Sequence, residues 1–150
     1  MRKILIIKFS AIGDVVESLP VAAALKELYK DGCEITWITK KCHMCLLENN
    51  EFIDKIICFE DIKSTYFRLL KEIFRNYNKN FHTNQKFISS CIQKIFSKLP
   101  SIKILRGYRF DLVLDLQGSI ESSVISMMCN AKYRLIPSNY YWQNDFHHGR

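Results

Sequence analysis

The sequence predicts a doubly wound α/β domain built on a parallel sheet, and three observations lead there. Short β-branched apolar runs (KILIIKF, CEITWIT, KIICF and DLVLDL) recur along the chain, as expected of strands buried on both faces. Stretches of helical period separate them, and such alternation means parallel strands joined by crossovers, with helices on both sides of the sheet. The 150 residues, 48% apolar and 25% charged, suit one domain. A domain of that size buries roughly two-thirds of its unfolded surface and needs no disulfide or metal to hold together.

Residues 3–9 form the expected first strand. A helix over 14–29 follows, with Val15, Leu19, Ala22, Ala23 and Leu25 or Tyr29 on one face, stopped by Asp31-Gly32. Pro20 falls inside it, so either the regular helix starts near Ser18 or it bends there. The second strand is expected over 33–39, a short helix over 46–49 and the third strand over 55–59. The fourth strand covers 111–116, a helix 119–129, and the fifth strand 133–136. Between the third and fourth strands, two amphipathic helices are expected over 64–77 and 87–99.

The net charge of +7 is local. Residues 61–110 hold 11 basic and 2 acidic side chains, a net +9, while the rest of the chain holds 11 and 13, a net −2. This basic segment suits the solvated face of two helices. It equally suits peripheral contact with an anionic membrane, where each basic residue contributes about 1 kcal/mol. The aromatic residues among the charges, such as Tyr66, Phe67 and Phe74, fit an interfacial helix. Nucleic acid is not an expected partner, because no helix-turn-helix, RNP or finger pattern is present. No apolar run reaches signal-peptide or membrane-spanning length, so a cytoplasmic protein, at most peripheral to a membrane, is expected.

Most of the six cysteines sit in apolar stretches and read as small buried hydrophobes. The exception is Cys42-His43-Met44-Cys45, a C-x-x-C just after the second strand. It lacks the second pair of ligands that a zinc site needs. A thiol-redox or metal protein using Cys42 and Cys45 stands as one alternative, with Lys40 and Lys41 beside the pair.

The strongest functional signal is a convergence of two loops. In an open α/β sheet, ligands bind beyond the carboxyl ends of the strands, where strand order reverses. With the order 3-2-1-4-5, the loop Lys8-Phe9-Ser10-Ala11-Ile12-Gly13-Asp14 and the loop Asp115-Leu116-Gln117-Gly118-Ser119 share one crevice. Neither is a dinucleotide or P-loop fingerprint, since Gly13 stands alone in the first. Asp14 at a helix start discourages a phosphate there. It is either a cap, contributing about 1 kcal/mol, or a general base at the mouth of the cleft. The helix dipole and Lys8 both favour its carboxylate, which weakens it as a base.

These two loops carry a resemblance. The stretch KILIIKFSAIGDVVESLP, followed later by FDLVLDLQGSIESS, resembles the N-terminal half of family 9 glycosyltransferases, the lipopolysaccharide heptosyltransferases and their relatives. The resemblance covers about residues 2–60 and 108–136. It implies a Rossmann-like, N-terminal acceptor domain of a two-domain GT-B enzyme that catalyses an inverting, metal-independent transfer without a cofactor. The donor would be a nucleotide-sugar (ADP-heptose) and the acceptor the lipid A inner core. Asp14 aligns with the family's catalytic base. Lys8, Ser10, Gly13, Gln117 and Gly118 align with substrate-positioning residues.

The expected organisation is then an acceptor-binding domain over 1–136, a basic two-helix insertion at about 61–107, and an atypical tail over 137–150. A complete member is about twice as long, with its donor-binding domain beyond this chain. A shortened product, or one that pairs with a separate donor-binding chain, is expected to be inactive alone. A non-enzymatic α/β module that binds anionic membrane lipid is the remaining alternative.

Overall fold

The computed structural model describes residues 1–59 and 100–136. In chain order the elements are β1 (Arg2–Ile7), α1 (Ile12–Leu28), β2 (Cys33–Lys40), a 3₁₀ segment (Lys41–Leu46), β3 (Lys55–Phe59), α2 (Pro100–Arg106), β4 (Arg109–Asp115), α3 (Ile120–Met128) and β5 (Asn130–Leu135). The five strands form one parallel sheet in the order β3-β2-β1-β4-β5. The expected fold class and strand order both hold. The helices expected over 64–77 and 87–99, and the tail over 137–150, lie outside the described residues.

Alternation along β1 divides the core into two layers. Ile4 and Ile6 face α1, where they pack with Val15, Ala22, Leu25, Ile35 and Trp37. Leu5 and Ile7 face the opposite side and pack with Ile102 and Leu105 of α2 and Val124 and Ile125 of α3. All four β1 residues are fully buried, so β1 is the central strand that its unbroken apolar run predicts.

Several boundaries differ from the sequence reading. Helix α1 starts at Ile12, so Pro20 lies in its interior. The proline removes the N–H that the Val16 carbonyl would accept, but Val16 and Pro20 are both exposed, which leaves that carbonyl open to water. The residues after β2 form a 3₁₀ segment over Lys41–Leu46 in place of a helix over 46–49. Strand β4 begins at Arg109 and β5 at Asn130. As an edge among the described strands, β5 exposes Lys132, Tyr133 and Leu135, so it carries no buried apolar run for a sequence reading to catch. Arg134 ties β5 to the end of α3, donating to the carbonyls of Ser126, Cys129 and Ala131.

Asp54 fastens α1 to the sheet. Its Oδ2 accepts from Lys26 Nζ and from the Ile35 N–H, both at 2.6 Å. Burial pushes this carboxyl up, but the hydrogen bonds from Lys26 and Ile35 outweigh it and leave it below its usual value. A lowered carboxylate pKa stabilises the fold above the unfolded pKa and loses that effect as pH falls through the folded value. Asp54→Ala should therefore cost about 1 kcal/mol at neutral pH. In acid the thermal midpoints of variant and parent should converge, which a pH series of melting curves checks.

Candidate active site

The site lies where the sheet changes direction, beyond the carboxyl ends of β1 and β4. Ile7 pairs with Asp115 at the end of the β1–β4 register, and the Leu116 N–H donates to the Ile7 carbonyl at 3.0 Å. The two loops thus leave the sheet side by side, as the sequence predicts.

Gln117 joins them. Its Oε1 accepts from the backbone N–H groups of Phe9 (3.1 Å) and Ser10 (3.0 Å), and its Nε2 donates to Ser10 Oγ at 3.2 Å. One side chain therefore satisfies two backbone donors of the neighbouring loop. Gln117→Leu should lower stability by about 1–3 kcal/mol, because it strands both donors. Gln117→Glu keeps an acceptor for each and should retain most of that stability. Denaturant midpoints of the two variants decide the point.

Lys8 is largely buried and extends its Nζ to Asp14 Oδ2 at 3.2 Å. Asp14 occupies the third position of α1 and reaches back to the Ala11 N–H at 3.3 Å. It therefore caps the helix from within, not from the N-cap position, which Ala11 holds. The Lys8 hydrogen bond, the Ala11 N–H and the Lys8 charge hold its carboxyl below the usual carboxylate value. Its side chain remains 56% exposed, facing the solvent at the mouth of the crevice. Ser10 and Gly13 complete the first loop. A Cβ added to Gly13 would meet nothing within 4 Å, so open space lies above the first turn of α1.

Asp115 supports the second loop and was not singled out from the sequence. It is 2% exposed. Its Oδ1 accepts from the N–H groups of Gln117 and Gly118, both at 3.0 Å, and its Oδ2 accepts from Ser122 Oγ at 2.8 Å. Burial pushes its carboxyl up, opposed by these hydrogen bonds and by the Lys8 charge. Gly118 stands at φ 61°, in the left-handed region that glycine enters without steric cost. Ser119 caps α3, with Ser119 Oγ accepting from the Ser122 N–H and Ser122 Oγ from the Ser119 N–H.

Two further residues brace the first loop. The Trp37 indole N–H donates to the Lys8 carbonyl at 3.0 Å, and His43 Nδ1 lies 3.0 Å from the Phe9 carbonyl. Both come from β2 and the segment after it. Their only sequence signal is position, since the strand beside β1 ends next to the loop that β1 feeds.

Cys42 and Cys45 are exposed and unbridged. Among the described residues no group of three His, Cys, Asp or Glu side chains gathers as a metal site would require. No helix among the described residues is long and apolar enough to cross a membrane.

The five-stranded parallel sheet flanked by helices matches the fold of GT-B heptosyltransferase structures over part of their length. The similarities to known proteins are more specific. The chain is 28% identical over 124 residues to lipopolysaccharide heptosyltransferase 1 of Campylobacter coli, an alignment covering 83% of this chain and 28% of that protein. Its fold matches the E. coli ADP-heptose lps heptosyltransferase II with a TM-score of 0.57 at 19% identity, covering 88% of this chain and 29% of the other. It matches the E. coli heptosyltransferase WaaC, solved with ADP, with a TM-score of 0.55 at 17% identity, covering 87% and 34%. No protein-family model matches the chain. The resemblance to the heptosyltransferases of glycosyltransferase family 9 thus holds in sequence and in fold. The chain spans about a third of the length of these proteins, a smaller share than the half that the resemblance implied.

Proposed function

We propose that residues 1–136 form the acceptor-binding domain of a lipopolysaccharide heptosyltransferase-type glycosyltransferase. The donor, ADP-heptose, is held by a separate domain, and the acceptor is the lipid A inner core. Asp14 takes the proton from the acceptor hydroxyl as its oxygen attacks the anomeric carbon and ADP leaves. Lys8, Ser10 and Gly13 on one loop, with Gln117 and Gly118 on the other, position the reacting groups. The acceptor is a lipid, so the reaction takes place at a membrane surface. The net +9 of residues 61–110 suits a surface lined with anionic headgroups.

The observation that carries this reading is the exposed Asp14 carboxylate, held ionised beside Lys8 at the joined ends of β1 and β4. An ionised carboxylate is available to accept a proton at neutral pH. Its low basicity must be offset when the acceptor excludes water, since desolvation raises a carboxylate's pKa.

The test joins this chain to the part of E. coli WaaC beyond the matched region and assays heptose transfer from ADP-heptose to a lipid A inner-core acceptor. Transfer by the fusion supports the proposal. A folded, ADP-binding fusion that transfers nothing counts against it. Asp14 works as a base only when deprotonated, so kcat/KM should fall as pH drops through its lowered pKa. The acid limb should lie below the ordinary carboxylate range, and Lys8→Met should move it upward.

A further inference from the structure

The C-x-x-C has no part in the transfer chemistry, yet its placement beside the cleft is specific. Cys42 and Cys45 are both exposed and unbridged on the 3₁₀ segment Lys41–Leu46. Such a helix completes a turn every three residues and rises about 2.0 Å per residue, so the two cysteines stack on one face with Cα atoms about 6 Å apart. Disulfides span Cα separations of roughly 4.4–6.8 Å, so the backbone already holds the pair within reach. Their Cβ atoms, however, point the same way and remain about 6 Å apart, where a bridge needs about 3.5–4.5 Å. Closing the bridge must therefore distort the turn.

His43 sits between the two cysteines. Its Nδ1 contacts the Phe9 carbonyl at 3.0 Å, and the Phe9 N–H is bound by Gln117. His43 thus links the turn to the loop that bears Lys8 and Ser10. Lys41, exposed next to Cys42, offers positive charge to an approaching anionic disulfide.

We propose that Cys42 and Cys45 form a thiol–disulfide exchange site, and that its closure shifts the 8–11 loop through His43. The oxidant is a small disulfide of the glutathione type. One cysteine gives up its proton and attacks a sulfur of the oxidant, forming a mixed disulfide and releasing one thiolate. The second cysteine gives up its proton and attacks the protein-side sulfur, closing the Cys42–Cys45 bond and releasing the second thiolate. The two released thiolates take up the two protons, so two protein thiols are oxidised as one disulfide is reduced to two thiols. This site stands whether or not the cleft transfers sugars.

The test treats the reduced chain with glutathione disulfide, quenches with acid, and maps the cysteines by peptide mass spectrometry. The parent chain should yield a bridged 42–45 peptide two hydrogens lighter than the reduced one. Cys42→Ser and Cys45→Ser, both at exposed positions, should instead retain a glutathione adduct on the remaining cysteine, because no partner is left to displace it. Adducts as persistent in the parent as in the variants, or no reaction at either thiol, would overturn the exchange site. The backbone amide resonances of Phe9 and Ser10 should move on oxidation of the parent and stay fixed in both variants. Amides unmoved by a formed bridge would overturn the coupling to the cleft.

Discussion

Asp14→Asn should lower the turnover of the fusion by about 10²- to 10⁴-fold, the usual contribution of a positioned general base. The amide oxygen can still accept from the Ala11 N–H, which Asp14 now reaches at 3.3 Å, so the start of α1 should survive. The loss should fall on kcat, with KM for the acceptor little changed, since the substituted side chain keeps its size and place. The competing account makes Asp14 a helix cap and nothing more. On that account the variant changes stability only and leaves turnover alone. Steady-state kinetics and a denaturation curve on the same preparation separate the two.

Asp115→Ala should be the most damaging substitution at the site for stability. It removes the acceptor for the Gln117 and Gly118 N–H groups and for Ser122 Oγ. Leaving buried donors unpaired costs about 1–3 kcal/mol each, and Ser122 can turn to the Ser119 carbonyl at 2.9 Å, so a total of about 2–5 kcal/mol is expected. Asp115→Asn is the informative control. Its carbonyl oxygen can serve both backbone donors, and its amide can donate to Ser122 Oγ, whose own hydrogen then goes to Ser119. The asparagine variant also avoids burying a charge. Burial raises the Asp115 carboxyl above its unfolded value, so its ionisation opposes folding, and stability should decline as pH rises from the unfolded pKa through the folded one. That decline should vanish in Asp115→Asn. Chemical denaturation across the acid range reads both effects.

The chain's fold was legible because burial on both faces leaves an unmistakable mark. β1, β2 and β3 lie within the sheet or are covered by helices, and their apolar runs show it. β5 was placed late because its exposed Lys132 and Tyr133 break the pattern, and α2 was missed because its seven residues are too few to show a period. Pro20 left two readings of α1 open, and the structure takes the one with the proline inside the helix, where an exposed proline near an exposed carbonyl is tolerated. At the site, loop position offered Asp14 as a cap or a base, and the family resemblance added Lys8, Ser10 and Gln117. The structure places them in two hydrogen-bonded pairs, Lys8–Asp14 and Ser10–Gln117. Trp37 and His43 escaped notice because their partners lie far away in sequence, and Asp115 because its role depends on its burial, although its partners Gln117, Gly118 and Ser122 are near. Trp37 reaches Lys8 across 29 residues and His43 reaches Phe9 across 34. Gly13 and Gly118 lie on the two loops and have no side chain; Gly118 donates its N–H to Asp115 and takes the left-handed φ of 61°.

The central claim is that the joined loops receive an acceptor. The direct measurement is a titration of the reduced chain with a soluble, deacylated lipid A inner-core oligosaccharide, followed through backbone amide resonances. Saturable shifts confined to the two loops, at Lys8, Ser10, Gly13, Asp14, Gln117 and Gly118, are expected, as is their loss in Gln117→Leu. A spectrum that does not change, or that changes only away from these two loops, would contradict it.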